Sequence, residues 1–110
     1  MRVFIVWEPM LPTDWYRPTR PTLKRVPDSR AEQFWDKDHL VAAGVSEQLQ
    51  QFHGTEPSCC NDRGHLWDMA ALYAPGVRWG ETAPDYDDGP VYRIAPALEH
   101  HISGLRQDSR

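Results

Sequence analysis

Aliphatic side chains are scarce in this chain of 110 residues. Leu, Ile, Val and Phe together make up only about a fifth of the sequence, a share close to that of intrinsically disordered proteins. Five Trp and four Tyr compensate for this shortage, because each of these rings can bury more area than a valine. We therefore expect one ordered domain, residues 1–110, whose small core contains Trp7, Trp35 and Trp67.

Long apolar runs and basic clusters are also absent. No run approaches the length that spans a bilayer, and the apolar run 3–7 is too short for a secretory signal. The balance of 12 basic against 16 acidic residues gives a net charge of −4, whereas nucleic-acid binding requires a basic face. One modest basic patch is typical of a solvated loop and consists of Arg17, Arg20, Lys24 and Arg25. We expect a cytoplasmic protein that binds neither nucleic acid nor membranes.

Residues 3–7 form a continuous run of β-branched and aromatic residues, which predicts a strand buried on both faces at the centre of a sheet. Half of the ten prolines then fall within residues 8–27, and proline fits neither a helix interior nor a central strand. This stretch is predicted to be an extended, Pro/Trp-rich connector. A loop of this length in a small domain usually packs tightly or has a function.

Asp28 and Ser29 followed by Glu32 resemble a capping box, which predicts that a helix begins at this point. Apolar residues then recur at helical spacing on one stripe, namely Phe34, Val41, Val45, Leu49 and Phe52. Gly44 and the acidic residues around Asp38 interrupt this pattern. The segment is therefore either one kinked helix or two helices, with Asp38 capping the second.

Three further elements are predicted in the second half of the chain. The apolar run 66–74 ends at a Pro-Gly turn signal and predicts a second buried strand. Residues 91–95 alternate as a third strand, and Pro96 at a first helical position predicts a helix over 97–105. The polar residues 106–110 are expected to fray. The order β-α-β-β-α predicts a small α/β sandwich with a right-handed parallel crossover between its first two strands.

Cys59 and Cys60 are the two cysteines of the chain and the strongest candidates for chemistry. Adjacent α-carbons lie about 3.8 Å apart, which is below the usual separation in disulfides, so a bond between them would be strained and easily reduced. The pair therefore cannot be a structural cross-link. Two thiols on one loop, with Arg63 and His65 nearby to lower their pKa, suit thiol exchange. The alternative is that one cysteine is simply buried as a small apolar residue.

The same thiols would also suit a soft metal ion, Cu(I) or Hg(II), with His65 as a further ligand. A zinc site would add His53 to this set. However, the gaps around the neighbouring cysteines do not match the usual spacing of zinc ligands. No organic cofactor is expected.

Four acidic residues stand next to tryptophans in the sequence, namely Glu8, Asp14, Asp36 and Asp68. A carboxyl group against an indole can have a raised pKa that suits acid catalysis. The simpler interpretation is that these acids cap helices and accept hydrogen bonds from indole N–H groups. A hydrolytic function through Glu8, Asp14 or Asp68 stays open, although no nucleophile and base have a matching spacing.

The predicted order of elements resembles a trimmed thioredoxin-like fold. The Val-Trp-Glu-Pro segment at the end of the first strand stands where the redox motif of that superfamily follows its central strand. Residues 8–11 contain no cysteine, so the C-x-x-C chemistry is not implied at that position. Gly89-Pro90 before the third strand is similar to the cis-proline of the superfamily. The Val-Trp-Glu-Pro and Thr-Asp-Trp segments are also similar to those of small bacterial proteins, a likeness that implies no activity.

The leading interpretation is a thioredoxin-like protein that uses neighbouring cysteines for thiol redox chemistry or soft-metal binding. In this interpretation Cys59 and Cys60 react, while Arg63 and His65 support them. Whether the protein is an enzyme stays open.

The alternative interpretation is a non-catalytic interaction domain. Here the connector, residues 8–27, binds a protein partner or a second copy of the chain. Trp15 and Tyr16 would anchor that interface, because large aromatic side chains contribute much of the binding energy in protein interfaces.

Overall fold

The computed structural model describes residues 1–10 and 16–108 of the chain. The chain divides into two compact units, Met1–Ala42 and Ala43–Arg110, and the boundary falls within a helix. Helices and short strands occur in both units, which confirms the predicted α/β class. None of the helices in the described ranges is both long and apolar enough to cross a membrane.

The first unit contains two parallel strands, β1 (Val3–Trp7) and β2 (Ala31–Trp35). The short helix α1 (Arg20–Leu23) lies between them in the chain. The bounds of β1 are as predicted, but its parallel partner is β2 rather than residues 66–74. The prediction of a central strand buried on both faces is wrong, because β1 belongs to a two-stranded sheet in the described structure and Phe4 is exposed.

Residues 28–35 differ from the prediction that a helix begins here. Asp28 Oδ1 accepts a hydrogen bond from Arg30 N at 2.9 Å, so Asp28 stabilises a turn. Residues 31–35 then alternate between half-buried and exposed side chains, which is the period of a strand rather than of a helix. The predicted capping box is therefore wrong.

Helix α2 (Leu40–Phe52) is capped by Asp36 instead. The Asp36 carboxylate accepts hydrogen bonds from the first three N–H groups of the helix, at 2.8, 2.9 and 3.3 Å. These amides have no partner within the helix. The predicted alternatives were one kinked helix or two helices; only the second helix of that pair is present, and Asp36 rather than Asp38 caps it.

Two short antiparallel hairpins provide the strands of the second unit. They are formed by β3 (Asn61–Asp62) with β4 (His65–Leu66) and by β5 (Ala70–Leu72) with β6 (Tyr86–Asp88). The predicted strand 66–74 is therefore interrupted, and part of it belongs to each hairpin. Asp68 has a φ of 51°, a left-handed conformation that does not fit within a strand, and this explains the break.

Helix α3 (Val91–Asp108) replaces two predicted elements, the strand 91–95 and the helix 97–105. The N–H groups of Arg93 and Ile94 both donate to Pro90 O, so the first helical turn forms before Pro96. Pro96 lies inside the helix rather than at its start. Residues 106–108, which were expected to fray, belong to this helix.

The most deeply buried apolar side chains are small or aliphatic. Among the described residues they are Ala42, Leu49, Cys60, Leu66, Pro84 and Ile94. Trp7 and Trp35, which lie opposite each other in the β1–β2 sheet, are half-buried. Trp67 is exposed, so the prediction that it belongs to the core is wrong.

Candidate functional site

The two cysteines form a disulfide bond with each other. Their Cα atoms lie 3.8 Å apart, which is the distance that a trans peptide imposes. The two residues differ in exposure, since Cys59 is exposed whereas only 1% of Cys60 is exposed. Solvent therefore contacts Cys59 far more than Cys60.

The β3–β4 hairpin fixes the position of Cys60, which immediately precedes β3. Cys60 N donates a hydrogen bond to Pro57 O at 3.1 Å, and Cys60 O accepts one from Trp67 N at 2.9 Å. Arg63 and Gly64 form the two-residue turn of the hairpin with φ values of 55° and 85°, as a type I′ turn requires. Two backbone hydrogen bonds thus fix Cys60, one to Pro57 in the preceding turn and one to Trp67 at the other end of the hairpin.

Gly89 and Asp68 provide the surface against which the disulfide packs. A Cβ atom added to Gly89 would lie 2.5 Å from Asp68 O, 3.2 Å from Cys59 Sγ and closer still to Cys60 Sγ. A side chain at this position would therefore overlap with Cys60 Sγ and with the backbone, and its contact with Cys59 Sγ would be tight. Cys60 Sγ lies 3.5 Å from Asp68 O, so a reduced Cys60 thiol can donate a hydrogen bond to that carbonyl.

Asp68 also connects this site with the start of helix α3. Its Oδ1 atom accepts a hydrogen bond from Val91 N at 3.3 Å, an amide that has no partner within the helix. Asp68 therefore acts as a helix cap, in agreement with the simpler interpretation of this acid. The Gly89–Pro90 peptide bond is cis, and it precedes a helix rather than the predicted strand.

The predicted supporting residues lie on the hairpin that begins next to Cys60. Arg63 is exposed in the turn, and His65 is half-buried on β4 opposite Asp62. Within the described parts of the chain, no three His, Cys, Asp or Glu side chains are placed to hold a metal ion. Cys59, Cys60 and His65 therefore do not form such a group, and cysteines in a disulfide have no thiolate to offer a metal.

The sequence prediction did not include Gly89 in the site. A glycine next to a proline is a signal for a turn or a close backbone approach, but nothing in the linear spacing relates it to the cysteines. The β5–β6 hairpin brings Gly89 close to the cysteines. Ala70 lies opposite Asp88 in this antiparallel pair, so the residue after Asp88 runs alongside the residues before Ala70. Gly89 therefore lies next to Asp68 and against the disulfide.

Glu8 and His39 form a separate polar pair in the first unit. Glu8 Oε2 lies 3.4 Å from His39 Nδ1, and the two side chains are only 10% and 14% exposed. Burial raises the pKa of Glu8, and the neighbouring His39 partly offsets this effect. Among the described residues, Glu8 Oε1 is buried without a hydrogen-bond partner. Glu8 thus fits the interpretation with a raised pKa, whereas Asp36 is a helix cap and Asp14 lies outside the described residues.

The connector, residues 8–27, is described in part. Helix α1 interrupts its predicted extended course. Trp15 lies outside the described residues, while Tyr16 is 87% exposed. An open, mainly apolar pocket of about 460 Å³ lies beside α1. It is lined by Arg20, Leu23, Lys24, Val26 and Pro27.

Comparisons with family models, with curated proteins and with solved structures gave no match for this chain. Its function is therefore inferred from the geometry of the candidate sites.

Proposed function

We propose that Cys59 and Cys60 form a two-electron redox centre for thiol–disulfide exchange. The observation that carries this proposal is the difference in exposure, because Cys59 is exposed and Cys60 is 1% exposed. Exchange requires that a thiolate reaches one of the two sulfur atoms. In this proposal Cys59 is the sulfur that is attacked and Cys60 is the leaving group.

The electrons come from a substrate that carries two thiols. Its first thiolate attacks Cys59 Sγ, the bond between Cys59 and Cys60 breaks, and the Cys60 thiolate takes up the proton that the substrate thiol released. The second substrate thiol then attacks the substrate sulfur of the mixed disulfide and releases Cys59. The substrate leaves as a disulfide, and two electrons and two protons have passed to the protein.

Asp68 supports the reduced state in this proposal. Once Cys60 is protonated, its thiol can donate to Asp68 O, which lies 3.5 Å from Cys60 Sγ. A buried thiol without an acceptor would lose its hydrogen bonds to water. The backbone of Asp68 is itself held by the cap that its side chain forms on α3.

A native thiol titration tests the proposed roles. The protein as isolated in air should show no reactive thiol, and after reduction it should show one fast and one slow thiol. The matched variants are Cys60→Ser and Cys59→Ser, in which the single remaining thiol should react fast and slowly, respectively. Two slow thiols in the reduced protein, or a faster thiol in Cys59→Ser than in Cys60→Ser, would contradict the proposal.

A thioredoxin-like relationship and a cytoplasmic location belong to the same proposal. The parallel β1–β2 pair and the cis Gly89–Pro90 bond support the relationship, although the strands of the described chain pair in twos. A reducing compartment would supply the thiols that reopen the disulfide.

Soft-metal binding is the alternative use of the same cysteines, and it requires the reduced pair. Uptake of one Cu(I) or Hg(II) ion by the reduced protein, without any reduction of disulfide substrates, would favour metal capture instead of redox exchange.

We propose as a second candidate that the connector, residues 8–27, binds another protein. Tyr16 is almost fully exposed, and Arg20 and Lys24 border the apolar pocket beside α1. This combination suits a partner segment that carries acidic residues beside apolar ones. A pull-down should recover the same partner with the wild type and with Tyr92→Ala, a control at another exposed tyrosine, but not with Tyr16→Ala. Equal recovery with Tyr16→Ala would contradict this candidate.

A further inference from the structure

One face of the β1–β2 sheet exposes aromatic rings to solvent. In the parallel register Phe4 lies opposite Glu32 and Val6 lies opposite Phe34, so these four side chains share one face of the sheet. We refer to this set, together with Arg2, as the outer face. Phe4 and Phe34 are 53% and 48% exposed, and their ring centroids lie 6.0 Å apart. Two of the three phenylalanines of the chain thus lie side by side on this face.

Two opposite charges lie at the rim of the outer face. The Arg2 guanidinium lies 5.2 Å from the centroid of the Phe4 ring, and Arg2 Nη2 lies 3.1 Å from Glu32 Oε1. Both side chains are exposed. A guanidinium has five N–H donors and a carboxylate has about four acceptor positions, so this single contact leaves both groups able to bind a further partner.

The composition of the outer face indicates which partner fits it. Contiguous exposed apolar side chains rimmed by polar groups are typical of interaction sites. A uniformly acidic or basic partner would place a like charge against Glu32 or Arg2, which is unfavourable. A copy of the same face carries both charges. In an isologous interface, a two-fold axis would pair each Arg2 with the Glu32 of the other copy and would bring the phenylalanines of both copies together.

We propose that the outer face binds the outer face of a second copy of this chain to form a two-fold symmetric dimer. This interface is independent of the proposed redox centre, which lies in the second unit. The phenylalanines form its apolar centre, and two Arg2–Glu32 pairs between the copies set its orientation.

Charge reversal tests this dimer directly. Arg2→Glu makes the rim charges of a homodimer all acidic, and Glu32→Arg makes them all basic, so each variant alone should associate about tenfold or more weakly than the wild type. In a one-to-one mixture, each acidic face meets a basic one. Sedimentation of the mixture should therefore show a dimer that contains both variants, and isotope labelling of one variant identifies it in native mass spectrometry.

Two further variants separate this dimer from other modes of association. Phe4→Ser should reduce dimer formation because it removes an apolar group from the centre of the interface, whereas Tyr16→Ala should leave the dimer unchanged. A wild type that stays monomeric up to ~1 mM, unchanged dimers of both charge variants, or a mixture without mixed dimers would each overturn the proposal. Since Arg2 and Glu32 are exposed, circular dichroism should show that both charge variants keep their fold.

Discussion

Gly89 allows a sharp test of the packing around the disulfide. Replacing it by alanine would add a methyl group 2.5 Å from Asp68 O, 3.2 Å from Cys59 Sγ and closer still to Cys60 Sγ. Overpacking of a filled site typically costs about 1–3 kcal/mol. Asp68 O belongs to the backbone, and Asp68 also caps α3, so this atom cannot move away easily. We therefore expect Gly89→Ala to lower the free energy of unfolding by about 2–3 kcal/mol in the oxidised protein.

The redox state should change the size of this effect. The two shortest contacts are with Cys60 Sγ and Asp68 O, and the buried Cys60 thiol of the reduced protein stays against that carbonyl. Reduction releases only the longest contact, because the exposed Cys59 side chain is then free to rotate away. The loss of stability should therefore be only slightly smaller in the reduced protein. Urea unfolding with and without a thiol reductant measures both values, and the oxidised midpoint should fall by ~1 M.

Gly104 on α3 provides the matched control for this measurement. A Cβ atom added there meets no atom within 4 Å, so Gly104→Ala should stabilise the helix by about 0.5–1 kcal/mol in both redox states. Equal stability of Gly89→Ala and the wild type in the oxidised protein would refute the described packing. A loss that disappears on reduction would contradict the close contacts with Asp68 O and Cys60 Sγ.

Three further predictions concern other parts of the fold. Asp36→Ala removes the cap of α2 and should lower the free energy of unfolding, measured by thermal denaturation, by about 1–2 kcal/mol. Asp36→Asn should retain part of this stability. Equal melting curves for Asp36→Ala and the wild type would contradict the cap. Tyr73 Oη donates to Oε1 of the buried Gln48 at 2.6 Å, so Tyr73→Phe should cost about 1–3 kcal/mol in urea unfolding, and an unchanged midpoint would contradict this bond. Burial raises the pKa of Glu8 above its ordinary value of 4.5, so the folded state binds the proton more tightly and the corresponding stability is lost as pH rises through the raised pKa. Wild-type stability should therefore fall relative to that of Glu8→Gln as pH increases above 4.5, and parallel stability curves for the two proteins would exclude this linkage.

Local sequence patterns were sufficient for some elements of the fold. The run Val3–Trp7 is continuous in β-branched and aromatic residues, and it forms β1 with the predicted bounds. Phe4 on one of its faces is nevertheless exposed, because burial of a sheet face depends on which other elements pack against it, and a single segment cannot reveal this. The apolar spacing around Leu49 predicted a helix, and α2 contains this completely buried residue.

The wrong assignments come from short segments in which two periods fit equally well. Residues 91–95 alternate as a strand does, yet Pro90 O accepts the first hydrogen bonds of α3 and Asp68 caps its first amide. In the same way, Asp28 and Glu32 have the spacing of a capping box, but residues 31–35 pair with β1. In both cases a contact distant in sequence decides between two local conformations.

The sequence indicated only some of the residues of the candidate redox site. Two adjacent cysteines are conspicuous, and the covalent geometry that joins them follows from the peptide bond. The contributions of Gly89 and Asp68 arise from the pairing of β5 with β6, and the unequal exposure of the cysteines arises from the packing of Cys60. These features depend on tertiary structure, so no spacing in the chain could indicate them.

Peptide mapping of the mixed disulfide tests the proposed redox centre most directly. The oxidised protein is treated with the monothiol 2-mercaptoethanol and quenched in acid, and the thiol that is released is alkylated. Tandem mass spectrometry of the peptide that contains both cysteines then locates the adduct and the alkyl group. The proposed roles predict that the adduct is on Cys59 and that Cys60 is a free thiol. An adduct mainly on Cys60, or an equal distribution between the two, would contradict them.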